Sequence, residues 1–237
     1  MVVPWPAMRL VTIPGFSLTP SSWREVAVRL GDGDVTNLSV PENGNFMDAV
    51  ARLVAEGGPA TYAGYSMGGR LALAAAVEAP EAVEAVVLLS ASPGIERDDE
   101  RAARLRADEE LAEWITDVGV DEFLDRWLSE PLFSGTDKEA ARRHRIASTE
   151  TIASQLLRLG QGAQPSLWDR LGEVEVPVLV MAGGNDKRYR EIAERMAGAI
   201  GPNATPVIVP DAGHALLIEA TDTVAHAITE FLTRNAG

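Results

Sequence analysis

Thr61-Tyr62-Ala63-Gly64-Tyr65-Ser66-Met67-Gly68-Gly69-Arg70 passes from an apolar run into an alanine-rich one within ten residues. An apolar run ends at Gly64, and an alanine-rich run of helical character continues from Met67 to Glu78. Between them, Gly64-Tyr65-Ser66-Met67-Gly68 matches Gly-x-Ser-x-Gly, the pattern that sets a nucleophilic serine on a sharp strand-to-helix turn. Such a turn leaves no room at its flanks, so side chains at positions 64 and 68 would collide with neighbouring backbone. The helix N-terminus beneath the serine favours developing negative charge. Small residues also let a helix pack closely on a sheet. The strand before and the helix after make the nucleophile reading the stronger one.

Outward from that turn, short apolar runs alternate with helical patterns. Strands are expected at 9–13, 35–38, 61–64, 86–89, 176–181 and 206–209, and helices at 23–30 (behind a Ser21/Ser22 cap), 47–56, 67–78, 191–200 and 223–234. Continuous Val/Leu/Ile runs suit strands buried on both faces of a parallel sheet. Strand–helix alternation argues for an α/β fold, mostly parallel, with helices on both faces. The alternation stops between about 94 and 165, where charged segments carry apolar residues at helical spacing. Four or five short helices are expected there, as a cap inserted into a single domain spanning 1–237. The apolar spacing resets at Gly119, Pro131 and Gly135, which rules out a coiled coil.

The chain has no cysteine, so thiol nucleophiles, disulfides and thiolate metal sites are excluded. Three histidines leave little scope for a metal centre, and neither a metal nor a cofactor is expected. A net charge of −14 is a poor footprint for nucleic acid. No apolar run approaches the roughly 20 residues of a membrane helix. The first thirteen residues, with two prolines and one charge, lack the features of a secretory signal, so a cytoplasmic protein is expected. Of 21 cations, 19 are Arg, which suits carboxylate recognition and equally suits a GC-rich genome.

A serine needs a base. His214 lies in Pro210-Asp211-Ala212-Gly213-His214, a turn just past the last strand, where loops of α/β sheets build sites. His144, within Arg142-Arg143-His144-Arg145, reads as solvated helix surface, and His226 as the outer face of a helix. Asp186, reached from a strand through Ala182-Gly183-Gly184-Asn185, completes the chain order Ser…Asp…His ahead of Asp169 and Asp211. The backbone N–H groups of Met67 and of Phe16, in Pro14-Gly15-Phe16 after the first strand, stand where an oxyanion hole belongs.

These residues resemble the α/β-hydrolase superfamily across nearly the whole chain. Within it, the run from Gly64 to Arg70, Pro93-Gly94-Ile95, Glu100-Arg101-Ala102-Ala103-Arg104 with Asp108, and Trp127 followed by Pro131-Leu132-Phe133 resemble the 2-succinyl-6-hydroxy-2,4-cyclohexadiene-1-carboxylate synthases, lyases of menaquinone biosynthesis. The likeness includes the insertion. It implies a small-molecule substrate with three carboxylates, a succinylated cyclohexene bearing an enolpyruvyl ether, from which a ring proton is removed and pyruvate expelled. It implies Ser66, His214 and Asp186 as the base system, Arg70, Arg104 and Arg145 as carboxylate ligands, and Tyr65, Trp127 and Phe133 as pocket walls. A trianion approaching so acidic a protein needs a local cluster of fixed cations, and bidentate guanidinium pairs supply it. Each arginine also reads as helix-surface charge, Arg145 most readily. The pattern departs from the family at Pro14, where the family has His, across residues 39–44, and at Leu128, where it has an aromatic residue. A serine carboxylesterase on the same triad, or a ligand-binding member without catalysis, are the alternatives. Arg70 with Arg104 favours the lyase, because a neutral-ester pocket has no use for buried guanidinium groups.

Overall fold

The apolar runs form six strands, all parallel: β1 (Leu10–Ile13), β2 (Val35–Asn37), β3 (Ala60–Tyr65), β4 (Val83–Leu89), β5 (Val178–Gly183) and β6 (Ala204–Val209), in the order β2-β1-β3-β4-β5-β6. The computed structural model describes residues 9–235, so most of the N-terminal segment tested above for signal character lies outside the described residues. Helices α1 (Arg24–Leu30), α2 (Phe46–Gly57), α3 (Met67–Glu78), α4 (Asp98–Val118), α5 (Val120–Trp127), α6 (Lys138–Arg142), α7 (Thr149–Leu159), α8 (Lys187–Ile200), α9 (Leu216–Glu219) and α10 (Thr221–Asn235) follow in chain order.

Successive strand residues point to opposite faces, and both faces are covered. Val86, Leu88, Val178 and Val180 pack with α2, α3 and α8, while Val87, Leu89, Leu179 and Met181 pack with α1 and α10. This is why the central strands read as unbroken apolar runs. Differences from the expected bounds have local causes. β5 opens only after Pro177, which has no N–H to give the ladder. Residues 20–23 form a 3-10 turn opened by Pro20, so α1 starts at Arg24 and no serine side chain caps it. α8 starts at Lys187, four residues earlier than expected, because the Asp186 side chain accepts the Tyr189 N–H and caps it.

Between β4 and β5 the chain makes α4 to α7 with a 3-10 turn at Pro131–Phe133. α4 runs for 21 residues, longer than the short helices expected, and ends at Gly119 with φ at 86°. Ala112, Ile115, Phe123, Leu124, Ile152 and Leu156 give the insertion a small core of its own. Among the described residues no helix is long and apolar enough to cross a membrane.

The site-bearing turn follows from register. Ile13 pairs with Gly64, so the loop leaving β1 lies beside the turn leaving β3. A Cβ on Gly64 would overlap the Gly68 carbonyl and the Gly69 nitrogen, and one on Gly68 would overlap the backbone of Ile13 and Pro14. We expect Gly68→Ala to cost roughly 1–3 kcal/mol, a backbone clash no rotamer relieves. Gly198→Ala, in α8 with open space around it, should instead stabilise by about 0.5–1 kcal/mol. Urea unfolding of both variants checks the pair; a neutral Gly68→Ala would contradict the steric account of the turn.

Candidate active site

Ser66 sits between β3 and α3 with φ 50° and ψ −107°, a conformation L side chains rarely adopt. Such a residue costs about 1–3 kcal/mol, and its surroundings must hold it there. Its N–H donates to Leu89 O (2.8 Å) and its carbonyl accepts from the Arg70 N–H (3.1 Å), tying the turn to β4 and to the first turn of α3. The side chain is thereby turned into a cleft above the strand ends.

His214 reaches the serine from the loop after β6. Its Nε2 lies 3.2 Å from Ser66 Oγ, and its Nδ1 lies 2.8 Å from Asp186 Oδ2. An ionised Asp186 only accepts, so it takes Nδ1–H and leaves Nε2 to accept from the serine hydroxyl. The other Asp186 oxygen accepts the Tyr189 N–H at 3.1 Å, which orients the carboxylate from both sides. The imidazole is buried at 2% exposure, with the Tyr189 ring edge-on at 4.5 Å. Ser90 Oγ donates to the His214 carbonyl (2.9 Å). The Glu219 carboxylate accepts from the N–H groups of Gly213 and Ala215 on either side of the histidine, and from the Thr136 hydroxyl of the insertion. Asp211, at positive φ and exposed, shapes the same turn. His144 departs from its surface reading: it is half-buried just beyond α6, and its Nδ1 lies 3.0 Å from Ser21 Oγ. His226 is exposed and faces Glu230.

Above these groups lies a cleft of about 200 Å³. Phe16, Tyr65, Met67, Arg70, Arg104, Trp127, Phe133 and Arg145 all line it together with Ser66 and His214, while Asp186 stands behind the histidine. Phe16, Trp127 and Phe133 form a chain of ring contacts at 5.5 and 5.8 Å that ends on His214 at 6.1 Å. Among the described residues neither the Phe16 nor the Met67 N–H donates to a protein acceptor. Arg188, Tyr189 and Gln161 also line the cleft and were not anticipated. The first two lie in the first turn of α8, ahead of the helix start that the pattern predicts at 191; an N-cap at Asp186 is the signal that finds them.

The arginines are held differently. Arg70 is buried, with Nη1 donating to Gln164 Oε1 (2.8 Å) and Nη2 to the Leu159 carbonyl (2.7 Å). Burial lowers its pKa to about 10, so it stays charged at neutral pH without a carboxylate bonded to it. Arg104 donates from Nε to buried Asp108 at 2.7 Å and is one-third exposed to the cleft. Arg145 leaves the arginine run and turns inward, contrary to its surface-charge reading. Its Nε donates to the Ala141 carbonyl (2.8 Å), its Nη1 to Ser17 Oγ (2.7 Å), and burial lowers its pKa to about 10 as well. Among the described residues no group of three or more His, Asp or Glu is placed to hold a metal ion.

The sequence pattern of the alpha/beta hydrolase family matches residues 10–227. The chain belongs to that family. A Bacillus subtilis (strain 168) protein carrying a provisional assignment as 2-succinyl-6-hydroxy-2,4-cyclohexadiene-1-carboxylate synthase is 38% identical over 177 residues, 72% of this chain and 64% of that protein. The chain thus matches a little under two thirds of that relative's length. The 2-succinyl-6-hydroxy-2,4-cyclohexadiene-1-carboxylate synthase of Enterobacter sp. (strain 638) is 25% identical over 247 residues, 97% of this chain and 92% of the relative. The solved structure of MenH from S. aureus superposes with a TM-score of 0.89 at 27% identity, over 98% of this chain and 96% of that one.

A buried guanidinium without an anion is an unrelieved cost, so a polycarboxylate in the cleft should stabilise the fold. Propane-1,2,3-tricarboxylate at ten times its Kd would add about 1.4 kcal/mol, a Tm rise of roughly 3–6 °C. The trimethyl ester should give no shift, and Arg104→Ala should shrink the acid's effect. Equal shifts for acid and ester would mean that the arginines serve the fold alone.

Proposed function

We propose that this α/β-hydrolase-fold chain is a carbon–oxygen lyase that eliminates pyruvate from 2-succinyl-5-enolpyruvyl-6-hydroxy-3-cyclohexene-1-carboxylate to give 2-succinyl-6-hydroxy-2,4-cyclohexadiene-1-carboxylate. The observation that carries the reading is the meeting of Ser66, His214 and Asp186 with Arg70, Arg104 and Arg145 in one cleft. A serine triad alone fits many reactions. A triad ringed by guanidinium groups in a protein of net charge −14 fits a polyanionic substrate.

The change from a 3-ene to a 2,4-diene defines the electron flow. The C2 proton, next to the succinyl carbonyl, is removed. The C2–H electron pair becomes the C2=C3 bond, the C3=C4 pair moves to C4=C5, and the C5–O bond breaks. Enolpyruvate departs with that electron pair and takes a proton on carbon to become pyruvate. No water is consumed. Ser66 Oγ, giving its proton to His214 Nε2, is the base at C2, and Asp186 stabilises the imidazolium that results. Charge develops on the succinyl carbonyl oxygen as C2–H breaks, and the free N–H groups of Phe16 and Met67 are the donors for it. Arg70, Arg104 and Arg145 take the three carboxylates, while Trp127 and Phe133 exclude water from the ring face. The chemistry asks for no metal or cofactor.

The same N–H groups and triad are also parts of an ester hydrolase, which is the second reading. Pyruvate release from the synthase substrate, coupled to lactate dehydrogenase and run beside p-nitrophenyl acetate hydrolysis, separates the two. We expect pyruvate release to dominate and Ser66→Ala to abolish it through kcat. Arg104→Ala removes a charge-assisted contact worth roughly 1.5–3 kcal/mol, a loss of about 10- to 150-fold in kcat/KM on the trianion. Hydrolysis of the neutral ester should be indifferent to the same change. Ester turnover without pyruvate release would return the protein to the hydrolases.

A further inference from the structure

The turn that carries the Phe16 N–H is held by the insertion more than by the sheet that it leaves. Ser17, fully buried, has a φ of 59°, a left-handed conformation that a serine keeps only under constraint. Each of its polar groups is bonded to the insertion. Its N–H donates to Gln155 Oε1 (3.1 Å) on α7, its carbonyl accepts the Ile146 N–H (2.9 Å), and its hydroxyl accepts from Arg145 Nη1 (2.7 Å). Leu18 and Arg145 form a one-residue antiparallel bridge, and the Phe16 ring packs edge-on to Phe123 and Trp127 at 6.1 and 5.5 Å. Within the loop itself, the Leu18 N–H to Gly15 carbonyl bond (3.1 Å) closes the turn.

We infer that Gln155, 138 residues away in sequence and 4% exposed, is a positioning residue that aims the Phe16 N–H into the cleft by fixing the Ser17 amide. The Ser17 N–H lies in the Phe16–Ser17 peptide, which meets the Gly15–Phe16 peptide that carries the Phe16 N–H at the Phe16 Cα, so a Ser17 N–H without its acceptor frees the Phe16 torsions that aim that donor. Gln155 meets the turn through its oxygen: its Oε1 accepts the Ser17 N–H, and the residue also lines a separate cleft with Glu150 and Arg158. A residue at this position therefore needs an acceptor of that reach, and Glu supplies one where Met does not. Arg145 belongs to the same strut, since the guanidinium that faces the cleft also grips the Ser17 hydroxyl. Carboxylate binding and the aim of the Phe16 N–H thus share one side chain. The inference rests on the reading of that N–H as a transition-state donor.

The test compares Gln155→Met with Gln155→Glu in the full-length protein. Losing an aligned oxyanion donor outright costs about 10²–10³ in kcat, and misaiming one should cost less. Gln155→Met is expected to lower kcat for pyruvate release about 10- to 100-fold, with KM changed less than about threefold. Gln155→Glu should stay near the wild type. Amide hydrogen exchange at Phe16 and Ser17 should speed up at least about tenfold in Gln155→Met and be restored in Gln155→Glu. Gln155→Ala, which removes the acceptor without adding bulk, should show the same kcat-selective loss and serves if the methionine variant folds poorly. An unchanged kcat with unchanged exchange, or a loss confined to KM, would overturn the inference. A wild-type protein that releases no pyruvate would sink the functional reading, while the exchange data would still decide whether Gln155 fixes the turn.

Discussion

The contact between two stretches of backbone on which the structure depends is the one at Gly64 and Gly68. Without a Cβ at either position, the chain turns from β3 into α3 against the end of β1, and Ser66 is forced to positive φ at the apex. From that close approach follow the exposure of the hydroxyl above the sheet, the placement of α3 under it, and the neighbourhood of the β1 loop. Everything else in the site is arranged around a serine that cannot move. His214 and Asp186 arrive on loops after β6 and β5 at the same edge of the sheet, where a parallel fold gathers its strand ends.

Electrostatics supplies the second constraint. Arg70 and Arg145 are charged in surroundings that lower their pKa values, and their hydrogen bonds go to carbonyls, a hydroxyl and an amide. Those neutral partners hold the forks in place and leave the charge uncancelled. Arg104 is the exception, anchored to Asp108, whose second oxygen reaches the Gly162 N–H at 3.3 Å and so braces the loop after α7. The insertion is thus a source of cations, of aromatic wall and of hydrogen bonds to both loops that flank Ser66. Gln155 and Arg145 hold the loop after β1, and Thr136, through Glu219, the loop that carries His214.

What was legible in the sequence are features whose cause is local. The glycines of the turn, the apolar strands and the breaks at Gly119 and Pro131 depend on near neighbours, and patterns record them; the order of Ser66, Asp186 and His214 is legible because such triads follow a fixed chain order. The resemblance carried Arg70, Arg104, Trp127 and Phe133 to the cleft that they line. Gln155 and Glu219 were invisible because each is a single polar residue whose partners lie far off in the chain or across a turn. Arg145 reads as surface charge from its neighbours Arg142, Arg143 and His144 and as a carboxylate ligand from the resemblance, and it lines the cleft, held by the bridge to Leu18 and by Ser17 Oγ. Arg188 and Tyr189 were lost for a smaller reason, a helix start misjudged by one turn.

On the proposed reading the serine triad in this cleft removes a proton, and no water enters the product. Reaction in water enriched in oxygen-18, with excess lactate dehydrogenase and NADH trapping pyruvate as lactate before its carbonyl exchanges, tests it directly. Elimination keeps the ether oxygen, so the account predicts lactate whose hydroxyl oxygen is unlabelled. Label in that hydroxyl at the enrichment of the solvent would mean hydrolysis of the enol ether, and would contradict it.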